Sequence, residues 1–241
     1  MTPKKLSLHC VFSLMLLLAA CSQKKDELLP DVNLPDISSF ASSPSDQFIV
    51  DSAAMTRVSR AHPYKGAGTA CAHRGAHLHF MDTGSDYTVD MHAPADGVVL
   101  RITPCFNLGN GNDKYEVDIG IAKHNGQSLL FEFSLEPIAG LLCQSNADFY
   151  KQFILVSQGQ TVQKGQVIAR LYKKGGVGGD ATHVHFDLQD MLSEDFHCPN
   201  IFTSAITAQF ATHYGTETCN GTAFPATFCY QPAAGEDLTA L

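Results

Sequence analysis

Residues 181–189 read "ATHVHFDLQ", and from His183 onward polar and apolar side chains alternate. A period of two belongs to a strand with one buried face, because successive side chains point to opposite sides of a sheet. His183 and His185 therefore share one face, and Val184 and Phe186 share the other. Two neighbouring imidazoles suit a metal site. The run before them, "GGVGGDAT", is rich in glycine, which lets backbone or substrate approach closely.

Strand signals continue on the N-terminal side. "DGVVLRI", residues 96–102, is a strand entered through a turn. Tyr115, Val117, Ile119 and Ile121 alternate with Glu116, Asp118, Gly120 and Ala122, and the pair Asn125-Gly126 that follows tolerates the positive φ angles of a hairpin turn. The return strand is "QSLLFEFSL", with Leu129, Phe131 and Phe133 on one face and Leu130, Glu132 and Ser134 on the other. In "VSQGQTVQKGQVIARL", Gly159 and Gly165 mark turns on either side of Val162, and a strand runs from Gln166 to Leu171. These signals predict an all-β domain, an antiparallel two-layer assembly over residues 58–190. Beyond it, residues 191–241 carry one short helical pattern, Ser204 to Tyr214, and three cysteines, and read as an appendage stapled to the core.

The chain begins with Lys4 and Lys5, an apolar run from Val11 to Ala20 broken by Ser13, and then Cys21. The apolar run is too short for a dependable membrane span and reads as a secretory signal. Its ending, Leu18-Ala19-Ala20-Cys21, resembles the bacterial lipobox, which implies removal of residues 1–20 and diacylation of Cys21. Ser22 and Gln23 supply no aspartate after that cysteine, which by the bacterial sorting pattern points to the outer membrane, with the domain facing the periplasm. The polar segment that follows, rich in serine and proline, is expected to be a flexible tether over residues 21–57.

Loss of the signal removes two lysines and no acidic residue, leaving 14 basic against 24 acidic side chains. An acidic surface without a basic cluster argues against nucleic acid as a partner, since phosphate neutralisation dominates such binding. Six cysteines remain after Cys10 leaves with the signal and Cys21 takes lipid: Cys71, Cys105, Cys143, Cys198, Cys219 and Cys229. An even count in an exported chain predicts disulfides, and the absence of any Cys-x-x-Cys pair argues against a thiolate metal site.

A catalytic zinc ion needs three nitrogen or oxygen donors and one position left for water, so the strand 181–189 requires help from elsewhere. "CAHRGAHLHFMDTGSD", residues 71–86, crowds His73, His77, His79 and Asp82 together. The succession of "HRGAHLHFMD", "VDMHAPADGVV", "VSQGQTVQKGQVIARL" and "GGVGGDATHVHFDL" resembles the lysostaphin/LytM-type zinc endopeptidases, which cut peptide bridges in peptidoglycan. The resemblance covers roughly residues 70–190 and implies that family's hybrid-barrel sandwich, one zinc ion and a substrate among peptidoglycan peptides.

Carried over by position, His185 is a zinc ligand and His183 a catalytic histidine. The family's first motif, His-x-x-x-Asp, matches less well. Asp82 falls at the aspartate position, to be joined by His77 or His79, while His73 with His77 keeps the spacing but puts histidine in place of aspartate. Imidazole is as good a zinc ligand as carboxylate, so both pairings stand. The family's further catalytic histidine, on the return strand of the hairpin, has no counterpart in "LLFEFSL", where Phe133 is taken to stand in its place. The resemblance therefore supports two functions. One is a zinc endopeptidase cutting peptide stems or crosslinks; the other is a degenerate domain that binds the wall or regulates a partner hydrolase. A biotinyl- or lipoyl-type barrel shares the "VQKGQVIARL" pattern but lacks a lysine between methionines.

Overall fold

In the computed structural model of the protein, residues 33–239 are described. The signal 1–20, Cys21 and the first part of the expected tether lie outside the described residues. The alternating segments become strands β1 (Val58–His62), β2 (Tyr64–Lys65), β3 (Ala76–Phe80), β4 (Tyr87–His92), β5 (Gly97–Asn107), β6 (Asp113–His124), β7 (Gln127–Glu136), β8 (Thr161–Val162), β9 (Val167–Lys173), β10 (His183–Asp190) and β11 (Phe196–His197). One antiparallel sheet has the order β1-β3-β10-β7-β6-β5-β8, with β11 also paired to β10. The β6–β7 hairpin turns at Asn125 and Gly126, whose φ angles are 49° and 78°.

A second layer is the antiparallel pair β4–β9, whose Val89, Met91, Ala169 and Leu171 are buried in the same core as Val117, Phe131, Phe133, Val184 and Phe186. The large sheet thus packs one row of apolar side chains against the second layer, while the opposite row carries its polar side chains, among them the buried His77, His79, Glu132, Ser134 and Asp187. On β10 the buried row is Val184, Phe186 and Leu188, all fully covered. Among the described residues no helix is long and apolar enough to cross a membrane.

Two boundaries differ from those the sequence suggests. The expected tether is packed in the domain from residue 33 onward: Phe40, Phe48, Ile49 and Val50 are buried, Lys123 N–H donates to Pro35 O at 2.7 Å, and His92 N–H donates to Ile49 O at 2.8 Å. The apolar run here is too short to give a period, so composition alone reads it as linker. The C-terminal segment contributes more than a staple. Phe202, Phe210 and Phe228 stack with Phe48 and Phe186, with ring centroids 4.5–6.2 Å apart, and so complete the core. The six cysteines form three disulfides, Cys71–Cys219, Cys105–Cys143 and Cys198–Cys229.

Candidate metal centre

The outward row of the large sheet is where the chemistry gathers. Antiparallel pairing sets His77 opposite His185 and His79 opposite His183, and on the far side of β3 it sets His62 opposite His77. On the other flank of β10, Glu136 faces His183, Ser134 faces His185 and Glu132 faces Asp187. Register alone therefore lays five imidazoles and three carboxylates on one polar face. His62, Lys65, His73, His77, His79, Glu136, His183 and His185 line a cavity of about 420 Å³ over it.

Three of the imidazoles converge. Nε2 of His77 lies 3.2 Å from Nε2 of His73 and 3.1 Å from Nδ1 of His185. These atoms form one of the described groups able to hold a metal ion. Nε2 of His185 is 3.1 Å from Oδ2 of Asp187, and with the proton on that nitrogen Nδ1 turns a lone pair toward His77. A single proton on His77 could satisfy only one of its two nitrogen neighbours. The arrangement could hold a cation, with the His185 imidazole oriented by the carboxyl group behind it.

Electrostatics favours neutral, ligating imidazoles. Burial pushes His73 and His62 down to about 4 and His79 down to about 2, and it lowers His77 well below the ordinary histidine value. Burial also lowers His183 and His185, against an opposing pull from Glu136 on the first and from Glu132 and Glu136 on the second. Desolvation raises Asp187, which is fully buried, well above the usual carboxylate range. A cation on the Nδ1 side of His185 would offset that cost.

Glycine makes the approach of the two segments feasible. Gly75 has φ +76°, and a Cβ added there would sit 1.9 Å from Nε2 of His185. Only a residue without a side chain lets the turn before β3 lie against that ring. His73 itself is fixed by backbone hydrogen bonds in both directions with Lys65, of 3.0 and 3.1 Å.

Several expected residues take other places. Asp82 lies beyond the end of β3, where Oδ1 accepts from Gly84 N–H at 2.8 Å and Gly176 N–H at 3.0 Å and Oδ2 lies 3.7 Å from Lys173 Nζ. Those backbone donors hold its carboxyl below the usual range. It belongs to none of the groups able to hold a metal among the described residues, so the structure does not bring it to His77 and His185. It ties its own loop to the glycine-rich loop instead. His79 shares the polar face, but its ring stacks on His183 at 4.6 Å, and it groups with His62 and His77 rather than with His73 and His185.

Phe133 is a further correction. It is fully buried and pairs with Phe186 in the core, so it does not occupy the place of a missing catalytic histidine. The positions of β7 on the polar face are Glu132, Ser134 and Glu136, and Glu136 Oε2 comes within 3.4 Å of His183 Nε2. Neither His62 nor Glu136 is singled out by the sequence. His62 stands alone in a short strand, and Glu136 ends a strand beside a proline; only cross-strand register brings either to the site.

No protein-family profile and no curated protein matches the chain. Among solved structures, the catalytic domain of the antimicrobial peptidase lysostaphin from Staphylococcus simulans is similar at 16% identity and a TM-score of 0.32, covering 58% of this chain and 86% of that one. The solution structure of lysostaphin gives 12% identity and a TM-score of 0.36 over 75% of this chain; the match spans 60% of that chain, less than two thirds of its length. The SpoIIQ–SpoIIIAH pore-forming complex gives 16% and 0.35, covering 67% of this chain and 97% of that one. The likeness is remote in sequence and in superposition.

Proposed function

We propose that the protein is a zinc endopeptidase that hydrolyses stem or crosslink peptides of peptidoglycan. The observation that carries this reading is the convergence of His73 Nε2 and His185 Nδ1 on His77 Nε2, at 3.2 and 3.1 Å, beside a fourth histidine, His183, on the same face. The His-x-His strand is also what the motif resemblance leads one to expect, while His73 with His77 keeps the spacing of its first motif with histidine in place of aspartate.

Zinc, when bound, polarises the scissile carbonyl and brings the pKa of a coordinated water from about 15.7 toward about 7. His73, His77 and His185 would hold it. His183 then works on protons. Its Nδ1–H donates to Ala181 O at 2.7 Å, which leaves Nε2 bare and facing the cavity. Nε2 accepts the proton of the attacking water and returns it to the departing amine, and Glu136 stabilises the imidazolium in between.

One observation favours a second reading. β7 offers the active face Glu132, Ser134 and Glu136 but no histidine, so a donor that the resemblance would place there is absent. Loss of such a donor costs on the order of a hundred-fold or more in rate. The second reading is a domain that grips wall peptides or regulates a partner hydrolase without cutting. Purified protein incubated with muropeptides separates the two. Peptide cleavage that a His183→Ala variant loses while retaining its metal supports the peptidase and overturns the second reading; muropeptides left whole, with or without metal, support the second reading; absence of metal overturns the peptidase.

We further propose anchorage through lipid on Cys21 in the outer membrane, with the domain facing the periplasm. Incorporation of labelled fatty acid that is lost in Cys21→Ser supports it, and a soluble wild-type protein overturns it.

A further inference from the structure

A second group of metal-donor side chains lies outside that centre, and the peptidase reading does not use it. It comprises His124 at the end of β6, Asp190 at the end of β10 and His197 on β11. We propose that these three residues form a separate site for a divalent transition metal.

The first argument is convergence. Nδ1 of His124 lies 3.0 Å from both carboxylate oxygens of Asp190, and Nε2 of His197 lies 3.1 Å from Oδ2. Donor atoms about 2.0–2.2 Å from one tetrahedral ion stand roughly 3.3 Å apart, so each histidine–carboxylate contact needs only a slight spread to accept one, and all three donors lie within 4.8 Å of one another. Their side chains are 18%, 3% and 8% exposed, which keeps the site largely dry.

The second argument concerns protons. Nδ1 of His197 is 2.9 Å from Gly235 O, which can only accept, so that nitrogen carries the hydrogen. Nε2 then presents a lone pair to an Asp190 oxygen, and two acceptors face each other at contact distance. Something positive must lie between them, either an added proton or a metal. Asn125, 3.2 Å from Nε2 of His124, can turn either amide atom toward that ring, and so it accommodates His124 with Nδ1 bare.

The third argument is access. The group opens on a cavity of about 610 Å³ that also reaches His73 and Arg74, so an ion there keeps coordination positions facing that space. The two imidazoles, borderline donors beside one hard carboxylate, favour zinc, cobalt or nickel over magnesium or calcium. Such an ion would fasten the β6 end of the hairpin to β10, β11 and the loop at Gly235.

The test is metal stoichiometry on the full chain, stripped with chelator and reloaded with Co(II), followed by its visible absorption and by elemental analysis. The expected result is about two ions per chain, falling to about one in either His185→Ala or His124→Ala and to about none in the double variant. A second readout guards against misfolding: Co(II) should raise the melting temperature of His185→Ala, and it should fail to do so when His124→Ala is added. If His124→Ala leaves the stoichiometry unchanged and Co(II) does not stabilise His185→Ala, the triad is a hydrogen-bonded, protonated cluster and the proposal falls. If His185→Ala alone leaves the stoichiometry unchanged, the first centre fails while this one stands.

Discussion

The candidate centre joins two kinds of backbone. His77 and His185 sit opposite each other on β3 and β10, held by a ladder that continues into β7 and β6. His73 lies three residues before β3 and is held by its bridge to Lys65, with the Cys71–Cys219 disulfide two residues away. Strand-borne ligands are fixed by the same hydrogen bonds that make the sheet. A loop-borne ligand depends on long-range ties, so the two halves should fail differently when perturbed.

His185→Ala attacks the strand half and should have the largest effect. Losing an outer-shell partner of a ligand typically costs about 10–100-fold in affinity, and losing the ligand should cost more than about a hundred-fold. The fold should survive, because the ring lies on the polar face while the neighbouring Phe186 carries the packing. Competition with a chelator measures the loss, and far-UV circular dichroism checks the fold. Retained affinity would mean that His73 and His77 hold the ion with some other partner.

Gly75→Ala probes the seam between the halves. A side chain there meets the His185 ring at 1.9 Å on a backbone with φ +76°, so either the ring or the turn must move. Metal affinity should fall about tenfold or more, with global stability reduced by roughly 1–3 kcal/mol from backbone strain. Unchanged affinity would show that the turn can yield without disturbing the ring.

The same division decides what could be read from sequence. Period-two alternation along residues 115–121, 129–135 and 183–188 is a direct trace of which side chains face the core, so the strands and their faces were legible. Which residues meet across the face is set by register, and register depends on pairing between segments about a hundred residues apart, such as His77 with His185. The pairing of His73 with His77 was visible as a spacing but could not be preferred over Asp82. A loop has no period, and what places Asp82 is a set of backbone donors from Gly84 and Gly176 that leave no pattern in the sequence. For the same reason, counting along β7 put Phe133 at a catalytic position although its alternation already marked it as core.

Removing the disulfide with Cys71→Ser and Cys219→Ser together tests the loop half by itself. The bridge spans 148 residues, and disulfides typically contribute about 2–4 kcal/mol. Stability should fall within that range, measured by urea unfolding, and metal affinity should fall less than it does in Gly75→Ala. An affinity loss as large as that of His185→Ala would show that the disulfide, rather than the Lys65 bridge, sets the position of His73.

Acid separates the imidazoles of the metal-free protein. His73 and His62 are depressed to about 4 and His79 to about 2, from an ordinary value of 6.5. A histidine depressed in the folded state binds more protons when unfolded, so its contribution is complete above about pH 6.5 and is lost as pH falls through about 4. Melting temperature should decline across that window. In the same titration the NMR signals of His73 and His62 should move while that of His79 does not. Titration of His73 near 6.5 would mean that the loop half is open to water in the absence of metal.

The smallest effect is expected from Asp82→Asn, which separates proximity in sequence from proximity in space. The carboxylate accepts two backbone hydrogen bonds and lies 3.7 Å from the buried ammonium of Lys173, which donates to Lys174 O and Val177 O at 2.9 and 2.8 Å. An amide keeps the accepting oxygen but loses the charge, so the link between this loop and the glycine-rich loop should weaken without breaking. Asp82 is mostly outside the core, so the stability change should be small. Metal affinity should be unchanged within error, because the group that converges on His77 draws its third donor from His73. If Asp82→Asn instead released the metal, the loop after β3 would have to swing inward on binding. The centre would then be completed by carboxylate rather than by imidazole, and the contrast between a preset strand half and a tied loop half would give way to a ligand-induced one.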